Sequence, residues 1–305
     1  MVTGGDEFTV TAVISTYNYA EVLRFSIASA LAQSHPPLEV LVIGDGCTDN
    51  SAEVVAAVGD SRVRFINLTD RVGSQAGPNN EGIRRAAGSV IAYLGHDDLW
   101  FPGHLKQVVD AVAAGADLVW SRGLIIDVDG SFRVWPPMTA GPGPMAGSMA
   151  HRRAAAIDNG LWWRTPQEAS LVTDRDFFRS AGAKGLVVHD LPRLGQVKIS
   201  SSRRKGVYLD RPVHEQETWS LRLRQPDAEA ALGLAALLAE RNDQPLAFLV
   251  DQPLTWTLKA VARTLARMVA GRCWRAAARP WTASLTELSR RRLDFVGAPA
   301  GPPAP

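Results

Sequence analysis

Three short apolar runs in the first third of the chain each break off into a polar loop, and this repetition constrains the fold more than any other feature. The segments are Val13-Ile14-Ser15-Thr16-Tyr17-Asn18, Gly44-Asp45-Gly46-Cys47-Thr48-Asp49 and Gly95-His96-Asp97-Asp98-Leu99-Trp100. In open α/β sheets ligands bind outside the carboxyl ends of the strands, so polar residues at three successive strand ends are expected to converge on one crevice.

Local pattern supports the alternation. Val10 to Ser15 is rich in β-branched residues and reads as a buried strand. Asn18, with Glu21 three residues on, has capping-box spacing, and Leu23, Ile27, Ala30 and Leu31 then share one helical face. Leu38 to Ile43 reads as a second strand, followed by Asn50 and Glu53 in the same spacing and a helix to about Val58. Arg62 to Leu68 and Ser89 to Leu94 read as further strands, with helices over Pro78 to Ala87 and Gly103 to Ala114. This order predicts a mostly parallel central sheet flanked by helices, with right-handed crossovers. Leu118 to Val128 and Phe132 to Trp135, joined around Asp129-Gly130, read instead as an antiparallel hairpin. Pro136 to Gly147, dense in Pro and Gly, is either a surface connection or a flap over the site.

Composition excludes several classes. A net charge of +2 gives no reason to expect nucleic acid as a partner. Cys47 and Cys273 are the only cysteines, too few for a disulfide framework or a Cys-rich zinc module, and they fit a reducing, cytoplasmic setting. Met1 to Phe8 does not read as a signal peptide, and no uninterrupted apolar run approaches the ~20 residues of a membrane-spanning helix.

The ordered motifs, together with Asn80-Glu81-Gly82-Ile83 before the fourth strand, resemble those of family 2 glycosyltransferases with the GT-A fold. The resemblance runs from about Thr9 to about Trp219. It implies an inverting enzyme that moves a sugar from a nucleoside diphosphate donor, with a UDP-sugar expected, to an acceptor hydroxyl in surface polysaccharide or glycolipid assembly. A non-catalytic nucleotide-sugar-binding protein and a nucleotidyltransferase are the alternatives. A dinucleotide oxidoreductase is disfavoured, because no Gly-x-Gly-x-x-Gly turn follows the first strand.

Residue by residue, Tyr17 offers a face on which a base can stack, and Asp45 a carboxylate that can accept from a base or ribose. The resemblance places Ser15 in the same donor pocket. The alternative is that Tyr17 packs and Asp45 caps the next helix. Asp97 and Asp98 stand where the family carries its acidic metal motif, with Asp97 expected to hold Mg²⁺ or Mn²⁺ against the donor diphosphate and Asp98 to support it or meet the sugar. Two positions depart from the common pattern: Gly95 replaces an acid, and Asn79 stands at the Arg position of an Arg-Asn pair. Phosphate contact would then rest on Asn80 and the helix N-terminus. His214 is a further candidate ligand. For the base that takes the acceptor proton, Asp174 aligns best and Glu168 is the rival, with Asp176 left to cap a helix.

Residues 1–225 are assigned to the GT-A domain, 226–296 to a helical C-terminal extension and 297–305 to a disordered Pro/Ala/Gly tail. Within the extension, 253–280 is a basic amphipathic segment that reads as a surface helix or as a peripheral membrane contact at the inner face, suited to a lipid-linked acceptor.

Overall fold

The computed structural model describes residues 8–127, 132–135, 144–199 and 213–233. The elements are β1 (Val10–Thr16), α1 (Ala20–Leu31), β2 (Glu39–Gly44), α2 (Ser51–Ala56), β3 (Val63–Asn67), α3 (Ala76–Arg85), β4 (Val90–Gly95), β5 (Leu99–Trp100) and α4 (His104–Ala113). They continue through β6 (Leu118–Ile126), β7 (Phe132–Trp135), a 3₁₀ turn (Ala146–Ser148), β8 (Met149–Arg152), α5 (Arg153–Asp158), α6 (Thr173–Ala183), β9 (Val188–Ile199) and α7 (His214–Leu223).

Among the described residues nine strands form one sheet, in the order β3-β2-β1-β4-β8-β6-β9-β5, with β7 pairing β6. The β3-β2-β1-β4 half is parallel. Such strands are covered on both faces, which is why β1, β2 and β4 read as nearly continuous apolar runs. Val10, Ala12 and Ile14 of β1 pack with Leu23 and Ile27 of α1, Val55 of α2 and Leu105, Val108 and Val112 of α4. Val13, one step out of phase, packs on the opposite face with Ile83 of α3 and Phe177 of α6. Each such buried Val, Leu, Ile or Phe side chain contributes about 1.5–3 kcal/mol, so the two-residue period of β1 selects which helices cover which face.

The second half mixes directions: β8 is antiparallel to both β4 and β6, β9 is parallel to β6, and β5 is antiparallel to β9. The short β5 directly after the third polar loop, only Leu99 and Trp100, carries no periodic signal in the sequence. It matters because it draws β9 alongside that loop.

The helix starts differ from expectation. Asn18 does not cap α1; it adopts φ 45° and binds Thr48 across the gap between loops, its Oδ1 accepting from Thr48 N at 2.8 Å. Asp49 serves both helices instead. Its Oδ2 accepts from Ala20 N of α1 at 3.0 Å, and its Oδ1 accepts from Ser51 N and Oγ of α2 at 3.2 and 2.6 Å. One carboxylate thus satisfies orphan donors of two helices and ties the first polar loop to the second.

The β6–β7 hairpin pairs as expected, although its Asp129-Gly130 turn lies outside the described residues. So do 136–143 of the Pro/Gly-rich segment, the basic stretch 253–280 and the tail. Residues 228–233 are helical. Among the described residues no helix is long and apolar enough to cross a membrane.

Candidate functional site

Strand order reverses at β1: β2 and β3 lie to one side and β4 to the other. Crevices open at such switch points, outside the carboxyl ends of the two central strands. Here Ser15 pairs with Gly95 in register, so the first and third polar loops leave the sheet side by side. His96 joins them: its Nδ1 accepts from Tyr17 N at 3.3 Å and lies 3.0 Å from Thr16 Oγ1, while Tyr19 packs edge-on against its ring. Burial holds the imidazole below its usual pKa, in the neutral form that this acceptor role requires.

Asp45 does not cap the following helix. Its carboxylate accepts from Val72 N at 2.8 Å and Gly73 N at 2.7 Å, fastening the β3–α3 loop over the end of β2. That loop carries Arg71 to within 3.8 Å of the Tyr17 ring centroid, guanidinium over the face. Gly46 permits the approach: at φ +70° it has Arg71 Cβ 3.2 Å from where its own Cβ would lie. Tyr17 therefore presents a stacking face already used by a planar cation.

The acid pair faces a lysine that the sequence reading did not single out. Lys198 of β9 places Nζ 2.8 Å from Asp98 Oδ2 and 3.7 Å from Asp97 Oδ1. Asp98 Oδ1 also accepts from Ile199 N at 3.1 Å. Burial pushes the Asp98 carboxyl up to about 7 against the pull of Lys198. Burial disfavours the charged lysine, but the surrounding Asp97, Asp98 and Asp174 carboxylates outweigh it and hold the ammonium above its usual range. At Gly95 a Cβ would lie 2.8 Å from Asp98 Oδ2 and 3.2 Å from Asp97 Oδ1. The two carboxylates occupy the space that an acid at this position would need.

The rival bases separate. Asp174, in the first turn of α6, accepts from Ala146 N at 3.0 Å and from Gln75 Nε2, and burial raises its pKa. The 3₁₀ turn that holds it is anchored to β5 by Trp100 Nε1 donating to Gly147 O at 2.8 Å. Glu168 is exposed, and its carboxylate accepts from Thr165 N and Oγ1 at 2.9 Å, closing its own turn. Asp176 is a buried brace for Arg164 and Ser170.

Asn80, expected at the donor, instead braces the wall: Nδ2 donates to Trp163 O and Oδ1 accepts from Trp163 N, both at 2.9 Å. Asn79 is buried with neither amide atom partnered among the described residues. His214 opens α7 in an exposed position, while Gln216 of the same helix reaches the Asp97 carbonyl at 3.5 Å. Among the described residues no group of three or more His, Cys, Asp or Glu side chains is arranged to hold a metal ion.

A divalent cation nevertheless suits the pair. Mg²⁺ needs only one or two carboxylates when substrate phosphates and water complete its shell. Asp97 and Asp98 already converge on one cationic atom, the Lys198 ammonium.

Similarity to known proteins agrees with this layout. A family model described as "Glycosyl transferase family 2" matches residues 11–169. An uncharacterized glycosyltransferase of Nostoc sp. is 28% identical over 201 residues, covering 62% of this chain and 61% of that protein. The succinoglycan biosynthesis protein ExoO of Rhizobium meliloti is 39% identical over 122 residues, covering 40% of this chain and 35% of that protein. The chain thus spans less than two thirds of either relative. The crystal structure of S. aureus TarS in complex with UDP-GlcNAc shares the fold, with a TM-score of 0.54 and 17% identity over 77% of this chain and 73% of that one.

Proposed function

This chain belongs to glycosyl transferase family 2, and from that premise we propose that it is an inverting glycosyltransferase that moves a sugar from a UDP-linked donor to an acceptor hydroxyl. One observation carries the reading: the loops that leave β1 and β4 side by side hold a stacking face and an acid pair, and Asp174, a half-buried carboxylate of raised pKa, acts on the same lysine as that pair.

In this reading Tyr17 and Asp45, with Ser15 beside them, line the nucleoside pocket. Asp97, supported by Asp98, would hold Mg²⁺ or Mn²⁺ against the diphosphate, where such an ion neutralises the leaving group's charge. Asp174 takes the proton of the acceptor hydroxyl as its oxygen bonds to the anomeric carbon. The bond from that carbon to the donor phosphate oxygen breaks on the opposite face and UDP leaves. Its raised pKa suits a base, since a proton acceptor works best when its pKa approaches the working pH. Gln75 and Ala146 fix the carboxylate's direction.

The succinoglycan relative supports surface polysaccharide assembly as the setting, with a saccharide or lipid-linked acceptor. Cytoplasmic location, with 253–280 against the inner membrane face, belongs to the same proposal. The test is product analysis with a panel of nucleotide sugars and saccharide acceptors. Acceptor-dependent release of UDP supports the reading. Release of pyrophosphate points to nucleotidyl transfer, and UDP binding without release points to a non-catalytic binder.

A further inference from the structure

Lys198 meets the acid pair through the sheet itself. The antiparallel β5–β9 register sets Leu99 opposite Val197 and Trp100 opposite Gln196, and its next step outward carries Asp98 to Lys198. The contact therefore joins residues a hundred positions apart by backbone pairing, with Ile199 N gripping the other Asp98 oxygen.

We propose that the Lys198 ammonium is a built-in competitor for the divalent cation: it sits on the Asp97 and Asp98 carboxylates until Mg²⁺ or Mn²⁺ arriving with the donor diphosphate displaces it. This rests on the reading of Asp97 as the cation-holding residue of the donor pocket. Charge balance favours displacement over permanent replacement. Two carboxylates, Asp97 at 3.7 Å and Asp98 at 2.8 Å, face the one ammonium, so the acids outnumber the cation, and a diphosphate adds further negative charge. A divalent ion supplies what a single lysine cannot. Lysine is also suited to leaving: its charge is a point on a flexible stem, and the Lys198 side chain is 28% exposed, open on one side. Once released, the ammonium faces the diphosphate that the ion brings. Cation and nucleotide binding are thereby coupled through one side chain, with the free protein holding the metal weakly.

The test measures Mn²⁺ affinity by electron paramagnetic resonance of free Mn²⁺ in the full chain, with and without UDP. In the parent, Mn²⁺ alone binds weakly and UDP strengthens it. Lys198→Met should bind Mn²⁺ alone at least tenfold more tightly and lose most of the strengthening by UDP, whereas Lys198→Arg should resemble the parent. Unchanged or weaker Mn²⁺ binding by folded Lys198→Met overturns the proposal. A second measurement needs no variant: the Lys198 ¹⁵Nζ resonance of the parent should shift on titration with Mg²⁺ and UDP, and a resonance unmoved at saturation overturns it. Absence of Mn²⁺ binding in every protein, even with UDP, would instead remove the cation reading of Asp97 and this inference with it.

Discussion

His96 and Tyr17 are joined by a hydrogen bond from the Tyr17 backbone N–H to the His96 ring nitrogen, so the loop that ends β1 is held by the loop that ends β4. The stacking face and the acid pair are thus one mechanical unit. His96→Ala removes the edge-on packing with Tyr19 and takes the ring-nitrogen acceptor from the Tyr17 N–H. UDP affinity should fall about tenfold, corresponding to ~1.4 kcal/mol, by calorimetry. Unchanged affinity would show that Tyr17 is positioned without His96.

Asp45 fastens the β3–α3 loop through two backbone N–H groups, and hydrogen bonds to a charged acceptor contribute about 1.5–3 kcal/mol. Asp45→Ala should accelerate amide exchange at Val72 and Gly73 and weaken uridine binding together. Faster exchange with intact uridine affinity would confine Asp45 to holding the loop.

Gly82 brings α3 close onto β1: a Cβ there would lie 2.5 and 2.7 Å from the Val13 methyls. Val13 is a buried strand residue and cannot yield freely. Gly82→Ala should destabilise by ~1–3 kcal/mol, the range for overpacking a core, seen as a lower denaturation midpoint at constant m-value. Space for alanine without loss would mean the helix can shift outward.

Buried imidazoles give the fold a pH dependence. Burial depresses His104 to about 3 and His151 to about 4. Below the unfolded value of about 6.5 the unfolded chain binds protons that the native state refuses, so this contribution is present above 6.5 and is lost as pH falls. Asp98, raised by burial, acts in the opposite sense, so the isolating comparison is parent against His104→Gln. The variant's deficit should shrink by about 2 kcal/mol between pH 7 and pH 5 in denaturant titrations. A constant deficit would show that His104 titrates normally.

The parts of the site legible in the sequence are those carried by contiguous residues. Tyr17, Asp45, Asp97 and Asp98 each follow an apolar strand directly, and a strand's end dictates where the next residue goes. What was not legible depends on pairing between distant segments. Lys198 reaches Asp98 only because β5 and β9 share a register, and no local pattern around Gln196-Val197-Lys198 signals an acid partner. Asn18 and Asn80 show the converse. Capping-box spacing points Asn18 at α1 and the family resemblance points Asn80 at the donor, yet each amide is engaged with backbone groups of a remote segment, Thr48 and Trp163. The family resemblance ranks Asp174 above Glu168. What separates them physically is that Gln75 and Ala146 fold in around one, while the other closes an exposed turn.

The proposed glycosyl transfer depends on Asp174 as the proton acceptor. The most direct test is the single-turnover rate of sugar transfer by Asp174→Asn, with UDP affinity measured in parallel and Glu168→Gln as control. With Asp174 as the base, the rate should fall by ~10² or more with UDP binding nearly unchanged, and Glu168→Gln should turn over at a rate close to the parent's. Full activity in Asp174→Asn, or abolition of transfer by Glu168→Gln alone, would contradict it.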